Sequence, residues 1–111
     1  MLSASTLAGD NVVNAAGENL GSIEDLMIDL DRGRVAYAVL SFGGFLGMGD
    51  KLFAVPWDAL EVDTTNKCFR LDVPKEKLES APGFDKAQWP TNADTSFVSS
   101  IYSYYGTPQY W

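Results

Sequence analysis

Two places in the chain bring carboxylates together: Glu24-Asp25, and Asp29 with Asp31 in the stretch DLDRGR. Paired acids can divide acid and base roles or hold a divalent cation. Neither pair is arranged for it. Glu24 and Asp25 are consecutive in a strand-like stretch and so face opposite sides, and Asp29 and Asp31 flank a turn, where aspartate commonly bonds its own backbone. Read as an EF-hand loop starting at Asp29, the fifth position is Gly33, the sixth Arg34 and the twelfth Leu40. That loop needs an oxygen ligand, a glycine and a glutamate at those places, so the match fails.

The chain has no histidine, and Cys68 is its one cysteine. A Ser-His-Asp triad, a Cys-His pair and a zinc site of the usual ligands are therefore all out of reach, and no internal disulfide can form. No enzyme, cofactor or metal site is expected. The glycine-rich stretch SFGGFLGMGD has neither G-x-G-x-x-G order nor the spacing of a phosphate-binding P-loop, and it leads into a strand rather than a helix N-terminus. What its glycines supply is freedom at positive φ, which lets a wide hairpin turn while Phe45, Leu46 and Met48 project from the tip. Three readings stay open: a plug folded back over its own barrel, a contact surface for another chain, or a lid over a small ligand.

Eight Lys plus Arg against fifteen Asp plus Glu give a net charge of −7. A field of that sign repels phosphate polyanions and anionic lipid, so nucleic acid is not an expected partner. No stretch approaches the roughly 18 apolar residues of a membrane helix, and MLSASTLAGDNVV lacks the basic and apolar parts of a secretion signal. A soluble cytoplasmic protein without membrane insertion is expected.

The elements that hold these residues are mostly short strands punctuated by turns. They fall at Asn11 to Asn14, about Gly21 to Leu30 with a bulge or register change at Glu24-Asp25, and Arg34 to Phe42. Lys51 to Trp57 and a hairpin pairing Leu60 to Asp63 with Cys68 to Val73 complete the set. Leu26, Ile28 and Leu30 are expected to point one way. In the third strand Val35, Tyr37 and Val39 oppose Ala36, Ala38, Leu40 and Phe42; in the fourth, Leu52 and Ala54 oppose Phe53, Val55 and Trp57. Both faces of these two strands are apolar, so both must be covered. Pro74 suits the first position of a short helix near 75–81, and 84–90 reads as irregular chain.

From Thr95 to Trp111 there is no charged residue. The spacing predicts a helix from Thr95 to about Tyr105, with Phe97, Ile101, Tyr104 and Tyr105 on one side and Gly106 and Pro108 beyond its end. Such a tail must dock, either on its own barrel or across a dimer.

GENLGSIEDLMID, GRVAYAVLSFGG and LFAVPWDAL, in this order, resemble the PRC-barrel family, and the likeness covers about Ser3 to Leu78. It rests on Gly17, Leu20, Gly21, Ile23 and Asp25; Gly33, Arg34, Val35, Tyr37 and Val39; and Ala54, Val55, Pro56, Trp57 and Leu60. The family is named for the cytoplasmic part of a reaction-centre subunit and shared with a ribosome maturation factor. The chain has neither the membrane helix of the first nor the basic balance of the second. The resemblance therefore implies a small stand-alone bacterial member, of a kind expressed under stress, and a mainly β fold: a strongly bent barrel of about six strands. It brings no catalytic residues and implies a protein-docking role. A barrel domain over 1–81 and an aromatic extension over 82–111 are expected. Phe42, Phe45, Leu46, Met48, Tyr102, Tyr104, Tyr105, Tyr110 and Trp111 are the candidate contact residues for a homodimer and a protein partner. The alternative is a carrier of a small molecule or ion at the barrel mouth, with acids of Glu24 to Asp31 as polar contacts.

Overall fold

The computed structural model describes residues 3–41, 51–81, 83–85 and 95–111. The strands are β1 (Asn11–Val13), β2 (Asn19–Asp29), β3 (Arg34–Ser41), β4 (Lys51–Pro56), β5 (Leu60–Asp63), β6 (Cys68–Leu71) and β7 (Gly83–Asp85). They form one sheet in the order β5-β6-β1-β2-β3-β4-β7. Every pairing is antiparallel except β1 with β6, where Val12 lies beside Phe69. Among the described residues three α-helices accompany the sheet: α1 (Ala4–Leu7), α2 (Lys75–Glu79) and α3 (Thr95–Tyr104).

The sheet is strongly curled, and the chain itself shows why. β4 and β5 lie five places apart in the strand order, about 24 Å in a flat sheet at about 4.8 Å per strand. Yet only the 3-10 turn Trp57–Ala59 joins them, and such a turn rises about 2 Å per residue. The two strands must therefore be brought round toward each other. Trp57 completes the corner by packing on Phe69 of β6, with ring centroids 5.9 Å apart.

Two bulges supply much of the bending, because an extra residue on one strand increases local twist. On β2, Ile23 pairs with Leu40 and Asp25 with Val39, leaving Glu24 as the extra residue, where the sequence led us to expect it. On β3, Met27 pairs with Tyr37 and Ile28 with Val35, leaving Ala36 over. This second bulge corrects the expected alternation. Paired residues share a face, so Val35 goes with Ile28 while Tyr37 goes with Met27, the opposite way.

Two apolar layers result. The inner one, inside the curl, contains Val12, Leu20, Ile23, Ala38, Leu40, Phe53, Val55, Phe69 and Leu71, with Leu7 of α1, Leu78 of α2 and Ala81 closing it. The outer one lies between β3, β4 and α3, and contains Ala36, Tyr37, Val39, Leu52, Ala54, Ile101 and Tyr102. In β4 the alternation holds: Phe53 and Val55 go inward, Leu52 and Ala54 outward. Asn14, the one buried polar residue among those described, ties the β1–β2 turn to the end of β6. Its Nδ2 donates to Glu18 Oε1 and the Val73 carbonyl at 2.8 and 3.1 Å, and its Oδ1 accepts from the Ala16 and Glu18 amides.

Other expectations need correction. Among the described residues seven strands are present rather than about six, and no ladder closes β5 against β7. The extra strand is β7, in the stretch expected to be irregular; it has three residues and exists through its pairing with β4. There the chains come so close that a Cβ on Gly83 would stand 2.8 Å from the Leu52 carbonyl oxygen, which only glycine tolerates. Trp57 starts the 3-10 turn instead of ending β4, and Pro74 caps α2 from outside rather than opening it. Leu26 packs on the inner layer, but β2 outruns that layer: Ile28 is 50% and Leu30 87% exposed.

Candidate functional site

The apolar outer face of β3 and β4 and the uncharged C-terminal segment meet in the structure. α3 lies across that face, and Ile101 and Tyr102 are fully buried against it. Phe97 makes edge contacts with Tyr37 and Phe84 at 6.0 and 6.1 Å. The Tyr102 hydroxyl donates to the Ala36 carbonyl at 2.6 Å. Ala36 is the bulge residue of β3, and a bulge leaves a backbone group outside the ladder. Tyr102 thus satisfies the polar atom that the bend exposes, and burial pushes its phenol up to about 12.

The far end of α3 turns toward α2. The Tyr104 hydroxyl donates to the Lys77 carbonyl, the Tyr104 and Tyr105 rings stack edge-on at 5.1 Å, and the Lys77 ammonium lies 5.5 Å from the Tyr104 ring centroid. The Tyr105 hydroxyl is buried without a hydrogen-bond partner among the described residues. Burial raises its pKa strongly, with the neighbouring Tyr104 adding to the shift.

At Gly106, with φ +64°, the chain reverses. The Thr107 amide closes the turn on the Tyr102 carbonyl at 2.9 Å, a helix ending that favours glycine in the left-handed region. Tyr110 and Trp111 then fold back on Tyr102, at 5.9 and 5.0 Å between ring centroids. The Tyr110 hydroxyl donates to Asp29 Oδ2 at 2.8 Å, and the Arg34 guanidinium sits 3.8 Å over its ring while pairing with Asp58 at 2.9 Å. The Tyr110 bond, followed by bonds from Arg32, holds the Asp29 carboxyl below its ordinary value. Burial, then the Asp29 bond, raises Tyr110 to about 12. Asp29 also accepts from the Asp31 and Arg32 amides. It is therefore a turn-former and an anchor for the tail.

The expected contact residues separate into groups. Phe42, Phe45, Leu46 and Met48 lie outside the described residues. Tyr102 is wholly buried, against the β3–β4 face of its own chain. Tyr104 and Tyr105 are partly buried beside α2, Tyr110 is half-buried under Arg34, and Trp111 is 36% exposed. Sequence reasoning missed Ile28 and Leu30 as surface residues around the Asp29 anchor. The signal was available, since apolar residues at the end of an 11-residue strand can extend past a short core.

A cleft of about 310 Å³ opens between α1 and the β5–β6 hairpin, lined by residues that include Leu7, Val62, Lys67, Cys68 and Phe69. None of the acids from Glu24 to Asp31 lines it, so the carrier reading loses its proposed polar contacts there. Among the described residues no three metal-ligating side chains converge, and no helix is long and apolar enough to cross a membrane.

Residues 1–78 of the 111 match the PRC-barrel domain. The chain belongs to the PRC-barrel family. No curated protein matches it. PRC-barrel domains are non-catalytic and mediate protein interactions. The matched region contains the whole inner layer except Ala81 and ends at Leu78. It also supplies the strand face on which α3, outside the match, is seated.

Proposed function

We propose that this PRC-barrel protein is a non-enzymatic interaction module of the cytoplasm that self-associates and docks a protein partner. In this reading residues 1–81 form the docking body, and the extension 82–111 shapes its surface through β7 and α3. The observation that carries the reading is the apolar surface around the end of the β2–β3 hairpin. Leu30 is 87% and Ile28 50% exposed, and Trp111 reaches the same end of the sheet through Tyr110 and Asp29. Exposed apolar groups gathered at one place mark contact sites more often than scattered ones do. Phe42, Phe45, Leu46 and Met48, in the β3–β4 connection, remain proposed contacts.

The test is capture by the immobilised full chain, compared with Leu30→Ser and Trp111→Ala variants that keep the wild-type circular dichroism. Proteins retained by the wild type and lost from both variants support the docking surface. Identical capture by all three removes it. The cleft beside α1 favours a second reading, a site for a small apolar ligand, since its volume is at the lower end for such sites. A thermal-shift screen of small aromatic compounds, repeated on Val62→Glu, separates that reading from the first.

A further inference from the structure

The cleft between α1 and the β5–β6 hairpin has an apolar floor that the fold leaves uncovered. Val62 pairs with Phe69 and so shares its inward face. Phe69 is buried in the inner layer, but β5 is the last strand of the sheet, and its inward Val62 is left 49% exposed. Leu7 of α1 and Phe69 complete the floor. At about 30 Å³ for each water-sized group, a volume of about 310 Å³ takes a molecule of roughly ten heavy atoms.

Two charged side chains stand over that floor, one on each wall, and the backbone holds both in place. Asp10 lies on the α1 wall. The Gly9 amide donates to the Ile23 carbonyl at 2.7 Å and the Ile23 amide to the Asp10 carbonyl at 2.9 Å, so this end of α1 is tied to β2. On the hairpin wall, Asp63 accepts from the Thr65 and Asn66 amides and from Asn66 Nδ2. These bonds, the one from the Asn66 side chain first, hold its carboxyl below the ordinary range. Asp63 is thus engaged by the turn. Lys67 closes the turn at φ +54°, the one non-glycine residue at positive φ among the described residues. Glycine or asparagine adopts that conformation with less strain, so the turn gains nothing from a lysine. Among the described residues neither the Asp10 carboxylate nor the Lys67 ammonium has a hydrogen-bond or salt-bridge partner.

The charges select the ligand. A lone anion would meet Lys67 but also Asp10 and the net charge of −7, and a lone cation would meet Asp10 but also Lys67. A molecule with both an ammonium and a carboxylate satisfies both walls and brings no net charge into the field. We propose that the cleft binds a free α-amino acid with an apolar side chain, its ammonium on Asp10, its carboxylate on Lys67 and its side chain on Leu7, Val62 and Phe69. This rests on the second reading above, the cleft as a ligand site, and names the class of ligand. Because both walls are fixed by backbone bonds, little has to be ordered on binding.

The experiment titrates the full chain with L-phenylalanine and follows amide shifts by two-dimensional nuclear magnetic resonance, which reads weak binding and its place. Shifts are expected in residues 6–10 and 62–69, saturating together. N-acetyl-L-phenylalanine lacks the ammonium and phenethylamine the carboxylate. Each is expected to bind about threefold to fivefold more weakly, as for the loss of one exposed ion pair. Asp10→Asn and Lys67→Gly should each weaken L-phenylalanine binding to a similar degree. Lys67→Gly should do so with an unchanged or higher melting temperature, since glycine relieves the backbone; damage to the fold would lower it. Equal affinity for the three probes overturns the proposal, as does equal affinity for L-phenylalanine in wild type and both variants, or the absence of saturable shifts up to its solubility limit. Benzyl alcohol, which is uncharged, separates the failures. If it shifts the same amides and L-phenylalanine binds no more tightly, the amino-acid assignment falls and the cleft remains a ligand site; if neither shifts them, both readings fall.

Discussion

The inner and outer layers of this protein are both apolar, yet they are enclosed in different ways. Residues from β1, β2, β3, β4 and β6 surround the inner layer, and α1 and α2 close its ends. The outer layer has two strands on one side and a ten-residue helix on the other. Removing any inner side chain disturbs contacts shared by the whole sheet. Removing α3 uncovers that face and takes from the inner layer only the packing of Tyr104 and Tyr105 beside α2. The inner layer therefore decides whether the domain folds, and the outer one decides which surface it presents. The family match divides the chain in nearly the same way, ending at Leu78 before the outer cover begins.

The comparison is most severely tested at Phe69, which is 1% exposed and braced by Trp57. Phe69→Ala is expected to cost about 3–5 kcal/mol, a large share of the roughly 5–15 kcal/mol available to a domain. Denaturant unfolding should show it as a global loss, with amides of the sheet and of α3 losing exchange protection together. Ile101→Ala should cost about 2–5 kcal/mol, but locally. Amides in α3 should exchange faster while those of β1 and β6 keep their protection. If both sets change alike, the layers form a single cooperative unit and the contrast is lost.

Tyr102→Phe sharpens the contrast at one atom. It removes the donor to the Ala36 carbonyl and leaves that bulge oxygen unsatisfied under the helix, at a cost of about 1–3 kcal/mol. The loss should appear in the protection of α3 and in β3 around the bulge, and scarcely in β6. An effect below a few tenths of a kcal/mol would mean that water satisfies the carbonyl, so that the helix does not seal the face.

Much of this arrangement was legible in the sequence because alternation reports burial directly. Leu52-Phe53-Ala54-Val55 announced two covered faces, and the charge-free aromatic segment announced the need for a surface. The β2 bulge at Glu24 was visible because two acids interrupt the apolar pattern. The β3 bulge at Ala36 was not, since RVAYAVLS is apolar on both sides and a slip of one residue leaves no polar side chain out of place. β7 was missed for a different reason: a three-residue strand has no period to read, and only its partner and the close approach at Gly83 define it. Tyr102 and Tyr110 looked equivalent in sequence. Tertiary contacts make one a core residue and the other a clasp, through partners at Ala36 and Asp29 that lie far away in the chain.

The smallest expected effect lies in the clasp, and it has a pH signature. Tyr110 is raised to about 12, above its ordinary value of about 10. Its contribution is therefore complete below about 10 and lost as pH rises toward about 12. Asp29 is lowered, so its contribution is present above its ordinary value of about 3.9 and lost as pH falls through its depressed one. The attachment of the tail should be flat across the neutral range and weaken at both extremes. Tyr110→Phe should abolish the Asp29 part of the acid limb that depends on the phenol. It should also reduce the alkaline limb, leaving the share that comes from burial of Tyr102 and Tyr105. Tyrosinate absorbance, followed with the near-ultraviolet dichroism of Trp111, reads both limbs. Dichroism of Trp111 that is equal in wild type and variant at pH extremes and at neutrality would show that the last two residues are not held by Asp29, and that the outer layer ends at Tyr102.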